Sequence, residues 1–186
     1  CMFWLNAFEA NRRRTKNIFI KLFTTKISIL IIENKIYTLK KNMSKKILIT
    51  GGAGFIAHHL IDKILSSTDW EIITLDRLDF SGNLNRLKEV VNAYPKSDQK
   101  RVKIVHHDLK AELNPEISSI IGNIDYIGHL AAGSHVDRSI SFPLEFVMDN
   151  VVGTAHILDY ARKLNNLERF AYFSTDEVFG PAPVGV

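Results

Sequence analysis

From residue 44 onward, apolar residues alternate between two kinds of run. Short and nearly continuous apolar stretches of strand length occur at 46–50 (KILIT), 71–75 (EIITL), 102–105, 125–130 and 170–173. Between them, apolar positions recur at helical spacing. Phe55, Ile56, Leu60, Ile61, Ile64 and Leu65 predict a helix ending near Ser66 and Ser67. Further helices are expected over 84–94, 111–121 and, behind the first-turn proline Pro143, over 143–164. Ser81, Gly82 and Asn83 signal a turn that also offers a helix cap, and 95–100 reads as a polar loop. Strands alternating with helices predict an α/β fold, a doubly wound parallel sheet with right-handed crossovers. Continuous rather than alternating apolar strands imply a sheet covered on both faces.

Residues 1–42 follow a different pattern. Lys, Asn, Ile, Phe and Tyr make up 23 of these 42 residues, the amino acids that A/T-only codons can encode. Met43 opens the first strand-like run, so it is expected to be the true start, with 1–42 a non-native or untranslated leader and no domain. Arg12, Arg13 and Arg14 precede an apolar stretch, but Lys21 and Lys26 interrupt it. That argues against a signal peptide and against a membrane span. An organelle-targeting leader is the remaining functional alternative for this segment.

Charge divides at the same place. Residues 1–42 hold nine Lys/Arg against two Asp/Glu, and 43–186 hold fifteen against eighteen. The main body is therefore mildly acidic, which argues against a nucleic-acid partner. The single cysteine, Cys1, excludes an internal disulfide and a cysteine-ligated zinc cluster, and a reducing cytoplasm is consistent with it. His58/His59 and His106/His107 are adjacent pairs that cannot share one face, so no metal site is expected.

The first strand runs into Gly51-Gly52-Ala53-Gly54-Phe55-Ile56-Ala57. Glycines let the chain turn tightly and bring backbone N–H groups against phosphate oxygens, and the following helix presents its positive end to the same anion. Asp76 ends the next strand, 25 residues after Gly51, near the spacing of a carboxylate that binds adenosine ribose hydroxyls. This favours NAD, although the adjacent Arg77 could accept a 2′-phosphate and Asp76 could simply begin a turn.

Six ordered blocks now identify a resemblance: ITGGAGFI (49–56), SGNLNRL (81–87), HDL (107–109), HLAAGSHVDRSI (129–140), DNVVGT (149–154) and STDEVFG (174–180). Together they resemble the extended short-chain dehydrogenases that act on nucleotide sugars, and within these the dTDP-glucose 4,6-dehydratases. The resemblance implies a Rossmann-type NAD-binding domain over 43–186, truncated after the fifth strand, with the substrate domain missing. It also implies roles for matching positions. Gly51, Gly54, Phe55 and Ile56 lie beside the pyrophosphate. Asp76, Arg77, Leu78 and Asp79 hold the adenosine ribose, and Asp108 and Leu109 meet the adenine. Leu130, Ala131, Ala132, Gly133 and Ser134 line the nicotinamide side, with Ser134 also facing the sugar, and Asp149 makes one more cofactor contact. Thr175 hydrogen-bonds the C4 oxygen of the sugar, Asp176 is the acid and Glu177 the base. Elimination needs both, one for the leaving oxygen and one for carbon.

Departures from the family pattern are local. Ala57 replaces a third glycine, His58 a common Ser, Gly133 a common Glu and Phe179 a common Tyr. Family members also carry a Tyr-x-x-x-Lys pair, and here only Tyr37 and Lys41 have that spacing, upstream of the glycine loop. The 186 residues alone are therefore expected to be inactive, with NAD as cofactor, a nucleotide-sugar substrate and a homodimer at full length. Two rival readings stand beside this one: a nucleotide-sugar epimerase or decarboxylase, which the Asp176-Glu177 pair argues against, and a non-catalytic dinucleotide-binding module.

Overall fold

The computed structural model describes residues 44–79, 81–175, 178 and 180, together with backbone strands between 23 and 40. Two compact units are present, Cys1–Met43 and Ser44–Val186. In the first, β1 (Phe23–Thr24), β2 (Ile27–Ile32) and β3 (Lys35–Lys40) form an antiparallel sheet in that order, with Ile32 opposite Lys35.

The second unit alternates strand and helix. Its strands are β4 (Lys46–Thr50), β5 (Glu71–Asp76), β6 (Val102–His106), β7 (Tyr126–His129) and β8 (Arg169–Tyr172). They pair in parallel, in the order β6-β5-β4-β7-β8. The chain winds outward from β4 to one side and then to the other, which makes β4 the topological switch point and opens a crevice at the carboxyl ends of the strands.

Side-chain alternation in the central strands explains the two covered faces. Leu48 and Ile73 point into one core with Ile127, Ile157 and Ala161; Ile47, Ile49 and Ile72 point into the other with Ile61, Leu65 and Leu87. The helix α1 (Ala57–Ser67) and α2 (Leu84–Asn92) cover the second face. On the first face lie α4 (Pro115–Ile121) and α7 (Gly153–Arg162). Burying a Leu or Ile fully contributes about 1.5–3 kcal/mol, so both faces supply real stability.

Four local features depart from the expected pattern. The segment 95–100 contains a short helix, α3 (Lys96–Gln99). The fourth helix starts at Pro115 rather than 111, because proline lacks an N–H and fits only a first turn, and the Asn114 side chain accepts from Ile117 N–H at 2.9 Å. An unexpected helix, α5 (Val136–Ser141), precedes the long one. The long helix itself is α6 (Pro143–Val147), a π-helical segment (Met148–Val152) and then α7. Asn83 is the cap of α2, its side chain accepting from Asn85 N–H at 2.9 Å. No helix among the described residues is long and apolar enough to cross a membrane.

Candidate active site

At the end of β4 the chain turns through Gly51, whose φ of +71° is open to glycine but costly to other residues. A Cβ there would meet the Ala131 backbone at 2.9 Å, and one on Gly54 would meet the Gly51 carbonyl at 2.9 Å. Gly54 N–H donates back to that carbonyl at 2.9 Å. The helix α1 then begins without any side-chain cap or first-turn acid, so nothing in its own first turn neutralises its positive end. Phe55 and Ile56 expose their side chains, and the Arg86 guanidinium sits 5.7 Å from the centre of the Phe55 ring. Ala57 is buried against the second core, which explains how a methyl group is accepted at that position.

Asp76 ties this loop to β5. One carboxylate oxygen accepts from Ala53 N–H at 2.9 Å, the other from Leu78 N–H at 2.8 Å. These two bonds use two of its roughly four acceptor positions. Leu78 takes a left-handed conformation, φ +58°, turning the chain so that Asp79 comes back to Arg77. Arg77 is far from free. Its Nε donates to Asp79 at 2.7 Å, and Nη1 and Nη2 form a fork on Asp149 at 2.5 and 2.9 Å. Lys110 Nζ lies 3.3 Å from the same Asp149 carboxylate, and Asp108 lies 3.9 Å from Arg77. Hydrogen bonding to Asp149 raises the Arg77 pKa above its ordinary value. Burial by itself would push the Asp149 carboxyl up, but Arg77 and Lys110 outweigh it and hold the group below the usual carboxylate range.

Underneath, a polar chain of the buried Thr50 and His129 and the half-buried Thr154 joins three elements. Thr50 Oγ1 lies 2.6 Å from His129 Nδ1 and accepts from the N–H groups of Leu130 and Ala131, each at 3.2 Å. With its lone pairs so used, the Thr50 hydroxyl donates to Nδ1, which places the imidazole proton on Nε2, 3.0 Å from Thr154 Oγ1. Burial lowers the His129 pKa to about 4, so the ring is neutral at ordinary pH. Next along the chain, Gly133 N–H donates to Asn150 Oδ1 at 2.7 Å and its carbonyl accepts from Asn150 Nδ2 at 2.9 Å. A Cβ on Gly133 would meet the Phe146 ring at 3.0 Å, so the small residue here makes room for that ring. His156 Nδ1 donates to the Leu109 carbonyl at 2.7 Å and steadies the loop after β6.

These loops enclose a cleft of about 620 Å³, within the range of cofactor sites. Gly51 and Gly54 form its floor with Asp76, Arg77 and Asp79 on one side. Asp108, Leu109 and Asp149 stand beside them, and the segment from Leu130 through Ala132 and Gly133 to Ser134 closes the other side. Thr175 is exposed, three residues beyond β8, and Asp176 and Glu177 lie outside the described residues. Sequence reading did not single out Lys110, Asn150, Thr50 or Thr154. Asn150 and Thr154 did lie within the DNVVGT block, but their partners are 17 and 25 residues away.

Comparison with known proteins places this geometry. The model of the family described as GDP-mannose 4,6 dehydratase matches residues 48–185. The chain belongs to this family. A dTDP-glucose 4,6-dehydratase of Escherichia coli is 40% identical over 148 residues, 74% of this chain and 39% of that relative. Among solved structures, a dTDP-glucose 4,6-dehydratase from Streptomyces venezuelae with NAD and TYD bound is 37% identical, with a TM-score of 0.63, covering 75% of this chain and 42% of the other. A UDP-glucose 4-epimerase from Bifidobacterium longum in complex with NAD+ and UDP is 28% identical, with a TM-score of 0.60, covering 73% and 38%. The chain thus spans about two fifths of the length of these relatives.

Proposed function

We propose that these residues form the dinucleotide-binding part of an NAD-dependent nucleotide-sugar 4,6-dehydratase acting on dTDP-glucose. The observation that carries the reading is Thr175-Asp176-Glu177, following β8 in a chain 40% identical to a dTDP-glucose 4,6-dehydratase. Two features support NAD as the cofactor. The glycine turn is a cradle that any Cβ would fill, and the carboxylate of Asp76 lines the cleft where a ribose hydroxyl would lie. Gly51, Gly54, Phe55 and Ile56 would hold the pyrophosphate, Asp76 through Asp79 with Asp108 and Leu109 the adenosine, and Leu130 through Ser134 the nicotinamide side. Bound NAD supplies a reversible hydride acceptor.

The chain's own residues do the rest. Thr175, and with it Ser134, positions the sugar through its C4 oxygen. Once C4 is a ketone, the neighbouring C5 hydrogen is acidic, and Glu177 removes it. Asp176 protonates the departing C6 hydroxyl, which leaves as water. Base and acid must hold their protons differently at one pH, which two carboxyl groups in unlike surroundings can do. The exposed stripe Leu144, Val147, Val151 and Leu158 on the long helix supports a homodimer. The single cysteine, Cys1, supports a cytoplasmic setting.

The test is a labelling experiment on the complete gene product with dTDP-glucose in D2O. The expected product is the 4-keto-6-deoxy sugar with deuterium at C5, and Glu177→Gln abolishes it. A 4-epimer without C5 deuterium would instead establish the epimerase reading.

A further inference from the structure

The fork between Arg77 and Asp149 joins residues 72 positions apart, and both line the cleft. Arg77 directly follows Asp76 at the end of β5, where an adenosine ribose would lie. An arginine at that place is the group that ordinarily accepts a 2′-phosphate, because its planar fork matches phosphate oxygens. Here that fork is already filled. Asp149 takes Nη1 and Nη2, Asp79 takes Nε and lies 2.6 Å from Nη2, and Asp108 faces Nη1 from 3.9 Å. Asp149 is itself only 12% exposed and is braced by Lys110, so the pair is held rather than loosely formed at the surface. Asp76, Asp79, Asp108 and Asp149 outnumber Arg77 and Lys110 along this wall, which leaves it net negative.

We propose that Asp149 determines cofactor phosphate specificity, by occupying the Arg77 guanidinium and so denying it to a 2′-phosphate. The proposal rests on the dinucleotide reading above. Asp149 acts through Arg77 and is a positioning residue. A ligand with two free ribose hydroxyls does not require the Arg77 guanidinium fork and meets the carboxylate of Asp76. A 2′-phosphate would meet four carboxylates and would have to displace Asp149 or Asp79 before Arg77 could bind it. Removing the Asp149 charge reverses both effects together: the wall becomes less negative and the fork is released.

The experiment titrates NADH and NADPH into the full 186-residue chain and reads nicotinamide fluorescence, with circular dichroism melts as the folding control. Unmodified protein is expected to bind NADH more tightly than NADPH. In Asp149→Asn, NADPH affinity is expected to rise by about tenfold or more, the worth of one charge-assisted hydrogen bond to phosphate, while NADH affinity changes less. A merely structural role would weaken both ligands and could not produce a gain. Should Asp149→Asn fail to fold, Asp149→Ser, a shorter neutral side chain, empties the same fork and must show the same gain. A folded variant that binds NADH with NADPH affinity unchanged overturns the proposal and leaves the dinucleotide reading intact. Unmodified protein that binds neither nucleotide overturns both.

Discussion

The two ends of the parallel sheet are held together by opposite kinds of chemistry. At the amino ends of the strands, Lys45 bridges Asp125 and Glu168, and Tyr126 donates to Glu168 while stacking on Trp70 with ring centres 4.6 Å apart. Lys46 N–H also donates to Asp125 at 2.8 Å. These groups are half-buried to exposed. At the carboxyl ends the equivalent task falls to neutral groups, the buried Thr50 and His129 and the half-buried Thr154, with Asp76 accepting backbone N–H groups nearby. The contrast has a physical cause. The amino end has only to align the starts of β4, β7 and β8. The carboxyl end keeps a cleft open, so its braces lie beneath the cleft surface, and the charged groups of Arg77, Asp79 and Asp149 stand on the wall.

The comparison breaks most visibly with pH. His129 has its folded-state pKa lowered to about 4 from an ordinary 6.5, so the unfolded chain binds this proton before the folded one does. Its contribution is complete above pH 6.5 and is lost as pH falls toward 4, about 3 kcal/mol over the window at about 1.4 kcal/mol per pH unit. Urea unfolding at pH 7, 5.5 and 4.5 checks this: the stability gap between the natural protein and His129→Gln should narrow steadily below pH 6.5. A gap independent of pH would show that the imidazole is not buried neutral.

A smaller effect is expected at the other end. Lys45→Ala removes exposed ion pairs, which contribute little and are screened by salt. It should lower the urea midpoint less than the His129 change does, lose even that difference in high salt, and leave NADH affinity unaltered. A large loss of NADH affinity would mean that the amino end shapes the cleft after all.

Much of the fold was legible because the central strands are continuous apolar runs. Ile47, Leu48 and Ile49 are buried in succession, on alternating faces, and a glycine turn follows directly. The helix at 136–141 was not legible because its apolar residues, Val136 and Ile140, are exposed and leave no buried stripe to read. The π-helical segment was equally silent, since MDNVV fits an α-helical pattern as well. In the site, the turn at Gly51 and the strand end at Asp76 were legible because each is written in adjacent residues. Contacts between distant positions were not: the Arg77–Asp149 fork spans 72 positions and the Thr50–His129 bond 79. The place of Arg77 in the chain is compatible with a phosphate group, whereas the carboxylate that fills its fork, Asp149, lies 72 positions away.

The most direct test of the account is amide hydrogen exchange of the 186-residue chain with and without NADH. Dinucleotide binding at the carboxyl ends predicts slowed exchange in 51–57, 76–82, 107–110 and 130–134, with no change in 44–46, 124–126 and 167–169. Uniform exchange with and without nucleotide, or protection confined to the amino ends, would contradict it.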